Sequence, residues 1–419
     1  MAIQGLRDTS NFATNERPEN WRETLLRLMP VSAKAAKAPL TALTSAMKEE
    51  STNDPAFHWW EKGVQNRRIA LGQNLTAPAA GTVQTVTVVS GALSYKQGDL
   101  FMVENGLQSG AACEIMQVHQ DPTADTSITL VRGAAGSTPG AITYAGAGVN
   151  PYIVCVGSAY EEGSLAPTGV SWNPSDVYNY TQIFRQTFEL TRTAMKTKLR
   201  TNPKAYDEAK RETMEVLGMD MERAFLFGRR STGTKNGKPI RYTNGIYHQL
   251  ASANKIAITN ASLKMTQWDT IMQTIFSEGS SEKVMFGGNQ ALAAIQTCVR
   301  KNTSYQIHLG EKEYGMKVTK FTSPFGDLTF WSHPLFNQMP SGTTSATAYY
   351  SLGAAAFVLD MENIKYRYLD GSDIHFEDEL ESPGMDGIKE GFIGECGLEV
   401  NHLSTHFFIY NMAAGAVDS

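Results

Sequence analysis

The sequence predicts an α+β protein built from segments of sharply different style, and three observations predict it. Residues 75–165 are rich in glycine, threonine and β-branched runs such as TVQTVTVVSGALSY, and thin in helix formers; this is the pattern of a small all-β insertion of five or six strands. One long amphipathic helix pattern begins after Asn202. Residues 256–345 then mix helical and strand patterns, and further strands close the chain.

Residues 1–56 read as an arm. WRETLLRLMP can form a short amphipathic helix with Trp21, Leu25 and Leu28 on one side, limited by Pro30. SAKAAKAPLTALTSAMKEE is interrupted by Pro39. No segment here is long enough to make its own core, so its apolar residues need another surface to lie against. FHWWEKG, from Phe57 to Gly63, anchors the next section. Trp59 and Trp60 there either pack on a sheet or stack on sugar.

After the β-rich stretch, residues 176–195 return to an extended pattern. Phe184, Phe188 and Leu190 share one parity, and Arg185, Thr187, Glu189 and Thr191 the other, which predicts one long strand with a covered and an exposed face. Asn202 then caps a helix whose first position suits Pro203. Tyr206, Ala209, Thr213, Leu217, Met221 and Ala224 form its apolar stripe; Lys204, Glu208, Arg211, Glu215 and Glu222 form the opposite polar face. Such a helix over 203–227 is a rod of roughly 37 Å.

The stretch LFGRRSTGTKNGKPIRYTNGI that follows looks at first like a phosphate cradle. A phosphate loop precedes its helix, so that free N–H groups face the anion, whereas this one follows the helix. Gly233 to Gly237 is also one residue short of GxxxxGK, and Lys238 is followed by Pro239 instead of Ser or Thr. Gly228 therefore reads as the helix stop, and Arg229, Arg230, Lys235, Lys238 and Arg241 as an exposed basic hairpin.

Beyond it, TQWDTIMQTIFSEGS and NQALAAIQTCVRK read as helices and VMFGG as a short buried strand. YGMKVTKFTSPFGDLTFWSHPLF reads as a hairpin turning at Ser323–Gly326, and SGTTSATA as a polar loop. DGSDIHFEDELESPGMDG reads as an exposed acidic loop between closing strands.

Composition bounds the function. At 419 residues the chain can bury a sizeable core and form two or three domains. With 42% hydrophobic and only 19% charged residues, it is an ordered globular chain with much uncharged or protein-contacting surface. The net charge of −5 argues against a dedicated nucleic-acid binder, leaving only a local basic patch. Cys113, Cys155, Cys298 and Cys396 make no CxxC pair and read as reduced and mostly buried, as in a cytoplasmic product. MAIQGLRDTSNFATNERPENWRE has no signal-peptide core, and no apolar run approaches the roughly 20 residues of a membrane helix.

No chemistry is demanded. His402 and His406 lie four apart, but without HExxH and in a strand-like context, with Val400, Ser404 and Phe408 on the same face. The acids between Asp370 and Glu381 lack EF-hand spacing, and there is no GxSxG elbow. The expectation is a protein that is no enzyme, with no catalytic residues, no cofactor and no resident metal.

The order of segments, and several stretches within it, resemble the major capsid proteins of tailed bacteriophages, whose fold is shared with herpesvirus shells. The likeness is to a subgroup with a β-domain inserted in the extended loop. NYTQIFRQTFELTRTA, DEAKRETMEVLGMDMERAFLFG and RYTNGI resemble that family's loop-return strand, spine helix and following hairpin; MPVSAKAAKAPLTAL resembles its arm. YGMKVTKFTSPFGDLTFWSHPLF resembles a hairpin of its α/β half. The resemblance implies an N-terminal arm at 1–56 and an extended loop at 57–200 carrying the insertion at about 75–165. It implies a peripheral domain at 201–255 and 346–395 with the spine helix, and an axial domain at 256–345 and 396–419.

It further implies a structural protein, self-assembled as hexamers and pentamers into an icosahedral head around double-stranded DNA. Scaffolding, portal and decoration proteins would be its partners, with no membrane, and assembly would occur in the host cytoplasm. The arm is too short to hold a full scaffold, so that function is expected from another chain. Inter-subunit contact candidates are Trp59, Trp60, Arg229, Arg230, Lys235, Lys238 and Arg241; the basic loop either pairs with acids on a neighbour or is simply solvated. A virion-attached carbohydrate-binding or decoration β-protein is the alternative, motivated by residues 75–165 and the tryptophan pair.

Overall fold

Short strands β1 (Glu49–Thr52) and β2 (Ala56–Glu61) open the structure. A computed structural model describes residues 49–63, 67–104, 113–142, 151–197, 205–258, 263–301, 308–313, 316–337 and 352–412. The arm up to residue 48, including its expected helix, and the SGTTSATA loop lie outside these residues. The chain falls into two units: Lys62–Ser175, and the residues up to Glu61 together with Asp176–Ser419.

The first unit is all β: β3 (Arg68–Ala70), β4 (Val83–Thr87), β5 (Asp99–Val103), β6 (Ile115–Val118), β7 (Ser127–Ala134) and β8 (Tyr152–Ser158). Their order is β3-β8-β5-β6-β7-β4. Just past β3, Leu71 bridges Val88; Gly72 N–H donates to Thr87 O at 2.9 Å and Val89 N–H to Ala70 O at 3.0 Å, so the sheet closes into a barrel. Closure removes the open edges that invite aggregation. One parity of each strand points inward, placing Val86, Phe101, Met116, Ile128, Leu130 and Ile153 in a filled core. Arg132 has the same inward parity and is fully buried. Its guanidinium grips Glu114 at 2.6 and 2.7 Å and donates to Thr76 O, Gln84 Oε1 and Gly140 O. Glu114 also accepts from the N–H groups of Gly133 and Gly140.

In the second unit β9 (Ser175–Tyr180) pairs with β2, and β10 (Gln182–Thr191) follows after one residue. The single strand expected over 176–195 is thus two strands and a turn of helix. The chain changes partner at Thr181, whose N–H bonds Pro55 O at 2.9 Å, and Thr191 caps the short helix α1 (Arg192–Lys196) by accepting from Ala194 N–H. The long helix α2 is described over Ala205–Phe227. It leads into the hairpin β11 (Ser231–Lys235) and β12 (Lys238–Tyr242), then α3 (Ile246–Gln249) and β13 (Lys255–Ala257). Next come α4 (Met265–Ile275), β14 (Glu282–Gly287), α5 (Asn289–Lys301), β15 (His308–Glu313), β16 (Met316–Ser323) and β17 (Gly326–Ser332). β18 (Ala356–Leu359), β19 (Ile364–Leu369), β20 (His375–Glu377), β21 (Gly387–Val400) and β22 (Phe407–Tyr410) finish the fold.

Two sheets result. One runs β1-β19-β21-β10, with β20 also on β21; the other is mixed and runs β13-β22-β18-β14-β17-β16-β15. Period two decides the packing of the second sheet. Met285, Phe330, Val358 and Ile409 face α4 and α5, joining Trp268, Ile271, Met272 and Ile295. Their neighbours Phe286, Trp331, Phe357 and Phe408 face the other way, toward Leu217, Met221, Phe225 and Leu226 of α2. The same cluster takes in Phe184, Tyr366, Phe392 and Leu398 of the first sheet. The segment 346–395 therefore does not go to one layer: β18 joins the seven-stranded sheet, while β21 runs to Val400 in the five-stranded one.

Two expectations need correction. Glu222, placed on the polar face of the helix, is fully buried and bonds His333 Nε2 at 2.8 Å, because near its C-terminal end the helix is covered on more than one side. The acidic stretch is not all loop, since β20 pairs with β21 and buries part of Phe376 against Phe392.

Removing one partner of the barrel's buried ion pair leaves a desolvated charge. Glu114→Ala is expected to destabilise Lys62–Ser175 by about 3–5 kcal/mol. Hydrogen exchange checks it: barrel amides lose protection while those of α2 keep theirs.

Candidate functional site

The basic hairpin is launched from a close crossing of two backbones. A Cβ on Gly228 would lie 2.5 Å from Ala224 O and 2.8 Å from Thr243 O, and one on Gly245 would lie 2.5 Å from Gly228 N. Gly228 ends the helix, as expected, but by this approach instead of a left-handed turn. Gly245 N–H then donates to Gly228 O at 2.8 Å, closing the hairpin's base. Its tip is Asn236–Gly237, with φ of 53° and 71°, the pairing a two-residue hairpin turn requires.

The five basic residues do not act alike. Arg230 is turned inward: its guanidinium lies 3.8 Å over the Tyr178 ring, and it donates to Tyr178 O at 2.5 Å. Arg229, Lys235 and Lys238 are exposed and Arg241 is half-buried. Lys235 stands directly opposite Lys238 in the register, a like-charge pairing that disfavours the hairpin. The positive field reaches His248, held below its ordinary 6.5 first by burial and then by Arg229 and Lys255.

The tryptophan pair also divides. Trp59 is buried, stacked on Phe57 at 5.9 Å, and donates from Nε1 to Glu61 at 2.8 Å. Trp60, one residue on, faces out and is 68% exposed, so sheet packing accounts for only one of the two. His58 shares that outer parity, stacks on Tyr178 at 5.3 Å and bonds Asp176 at 3.0 Å.

The histidines His402 and His406 do not share a strand face. His402 takes a left-handed conformation, φ 50°, and Leu403–Thr405 form a single tight turn where the chain passes from β21 in one sheet to β22 in the other. His406 is fully buried; its Nδ1 accepts from Asp360 N–H at 3.2 Å, so its Nε2 donates to Asn401 O at 3.2 Å. Beside it Lys283, also buried, donates to the carbonyls of Ile275, Glu278 and Thr405 at 2.8 Å each. This buried polar knot was missed in the sequence, where Lys283 looks like any surface lysine. Among the described residues no group of three His, Cys, Asp or Glu side chains is placed to hold a metal ion. No described helix is long and apolar enough to cross a membrane.

The described surface thus offers a charged hairpin and an exposed aromatic. The model of the SU10 major capsid protein family matches residues 9–413. The chain belongs to that family. It is a phage capsid protein that forms the icosahedral shell. The major capsid protein of Pseudomonas phage PaMx41 is 26% identical over 367 residues, which cover 84% of this chain and 79% of that one. Two solved structures are similar at lower identity. The holo-SrpI encapsulin complex of Synechococcus elongatus PCC 7942 is 12% identical with a TM-score of 0.41, covering 59% of this chain and 79% of its own. The capsid of Cyanophage P-SCSP1u is 11% identical with a TM-score of 0.39, covering 62% of this chain and 80% of its own.

Burial pushes His406 down from 6.5 to about 4. Between those values the unfolded capsid protein binds a proton that the folded one refuses, so stability falls as pH drops through this window. Acid unfolding of His406→Gln is expected to show a flatter pH dependence between 6.5 and 4 than the parent, whatever its stability at pH 7.

Proposed function

We propose that this chain assembles as hexamers and pentamers into the head shell of a tailed bacteriophage, around packaged double-stranded DNA, in the host cytoplasm. The family match over residues 9–413 is the observation that carries the reading. In this reading the chain before β1 is an arm laid on neighbouring subunits, β1 ties it to the five-stranded sheet, and the ribbon β2–β9 is an extended loop whose insertion is the barrel. The five-stranded sheet with α2 is the peripheral part, and the seven-stranded sheet with α4 and α5 the axial part. Shell subunits of one sequence fill slightly different environments; peripheral and axial sheets welded through one core support rigid-body fitting, with arm and loop absorbing the differences.

Trp60, Arg229, Lys235, Lys238 and Arg241 are the contact residues this reading favours, since each leaves its side chain available at the surface. Trp59 and Arg230 are used within the chain and support the contacts from behind. A net charge of −5 suits an enclosure that does not grip its DNA. Scaffolding, portal and decoration proteins are the expected partners. The reading includes no catalytic step, cofactor or metal.

Electron microscopy of the protein expressed with its scaffolding protein is expected to show closed shells, with five- and six-membered capsomers in reconstructions. A product that remains as discrete monomers or trimers overturns the reading.

A further inference from the structure

The chain segregates its charge. Between Glu222 and Asp269 there is no Asp or Glu but eight Lys and Arg, counted from Arg223 to Lys264. Between Tyr368 and Val400 there are ten Asp and Glu and a single cation, Lys389. The structure sets the most exposed parts of these two segments at opposite ends of the β10–β21 ladder. The hairpin hangs from the Gln182 end, where Thr243 N–H donates to Gln182 Oε1 at 3.1 Å. The acidic segment lies at the other end, where Leu380 N–H donates to Lys389 O at 2.9 Å and Lys389 stands opposite Glu189. At about 3.3 Å per residue, Gln182 and Glu189 are roughly 23 Å apart. The two points of attachment are thus separated by well over the screening length of about 8 Å in physiological salt.

Among the described residues local pairing leaves both poles charged, although Lys210 Nζ lies 3.4 Å over the Phe376 ring beside the acids. At the acidic end Arg185 takes Glu377, Arg192 takes Asp386 and Lys389 takes Glu189. Asp378 and Glu379 remain exposed at the surface. At the basic end Lys235 faces Lys238 at the hairpin tip, and Arg229 is exposed at the hairpin's base. A molecule with unlike poles at its two ends is self-complementary head to tail, the heterologous arrangement that closes rings.

We infer that the hairpin tip of one copy, through Lys235 and Lys238, docks on the Asp378–Glu379 segment of the adjacent copy. The contact deepens the proposed shell function and rests on it, because it supposes copies arranged around a ring.

Charge reversal tests it. Lys235→Glu with Lys238→Glu, and separately Asp378→Lys with Glu379→Lys, alter exposed side chains and are expected to melt like the parent. Each pair is expected to weaken capsomer association by about tenfold or more in analytical ultracentrifugation, since like charges then meet. All four reversals in one chain restore association, because the poles are exchanged and still match. The two reversed variants mixed in equal amounts also associate, as alternating six-membered rings and not as five-membered ones.

The inference is overturned if either reversed pair associates like the parent, or if the fourfold variant folds and stays apart. It is also overturned if only the hairpin reversal has an effect and that effect is lost binding of a short DNA duplex; the hairpin's occupant is then nucleic acid. A parent that itself stays monomeric with its scaffold sinks the shell reading, and this contact with it.

Discussion

The second unit depends on one shared core, into which the C-terminal half of α2 is driven from between two sheets. Phe225 meets Phe184 and Tyr366 of the five-stranded sheet edge-on, while Phe227 meets Phe336 and Phe357 beside the seven-stranded sheet. Each large side chain fully buried there contributes about 2 kcal/mol. None of these contacts can be lost from one sheet without opening a cavity against the other. Glu222 and His333 sit within the same seam, with Phe336 stacked on the imidazole at 4.3 Å. A buried carboxylate is tolerated only where its partner is fixed, so the pair sets the rotation of the helix as well as its depth.

That dual covering explains what the sequence disclosed and what it withheld. The apolar stripe through Leu217 and Met221 was readable from spacing, as were the hairpin turn at Ser323–Gly326 and the helices around Trp268 and Ile295. Periodicity reports one buried face, however, and α2 near its end has more than one. Glu222 was therefore assigned to water, and nothing local marks His333, 111 residues on, as its partner. The split of residues 176–195 was hidden for a similar reason. Alternation runs smoothly through Thr181, and only the tertiary bond to Pro55 shows that the strand changes ladders there.

The candidate surface was legible in part. Composition disclosed the basic run, and the reversed order of helix and loop excluded a phosphate site. It did not disclose that Arg230 is spent on Tyr178 or that Trp59 and Trp60 part company, since both follow from neighbours distant in sequence. In the barrel, β-branched runs announced the strands, but Arg132 gave no sign that a charged residue occupies an inward position. Five donated hydrogen bonds and a facing carboxylate make that burial tolerable.

The barrel's connection has an evolutionary consequence. It enters after β2 and leaves into β9, and those two strands are bonded to each other. Its sheet is closed on itself. A module joined by such a pair of adjacent ends can be gained, exchanged or deleted in one recombination event. Only the short ribbon needs to stay in register, so foreign sequence placed there would be carried on every copy of the shell.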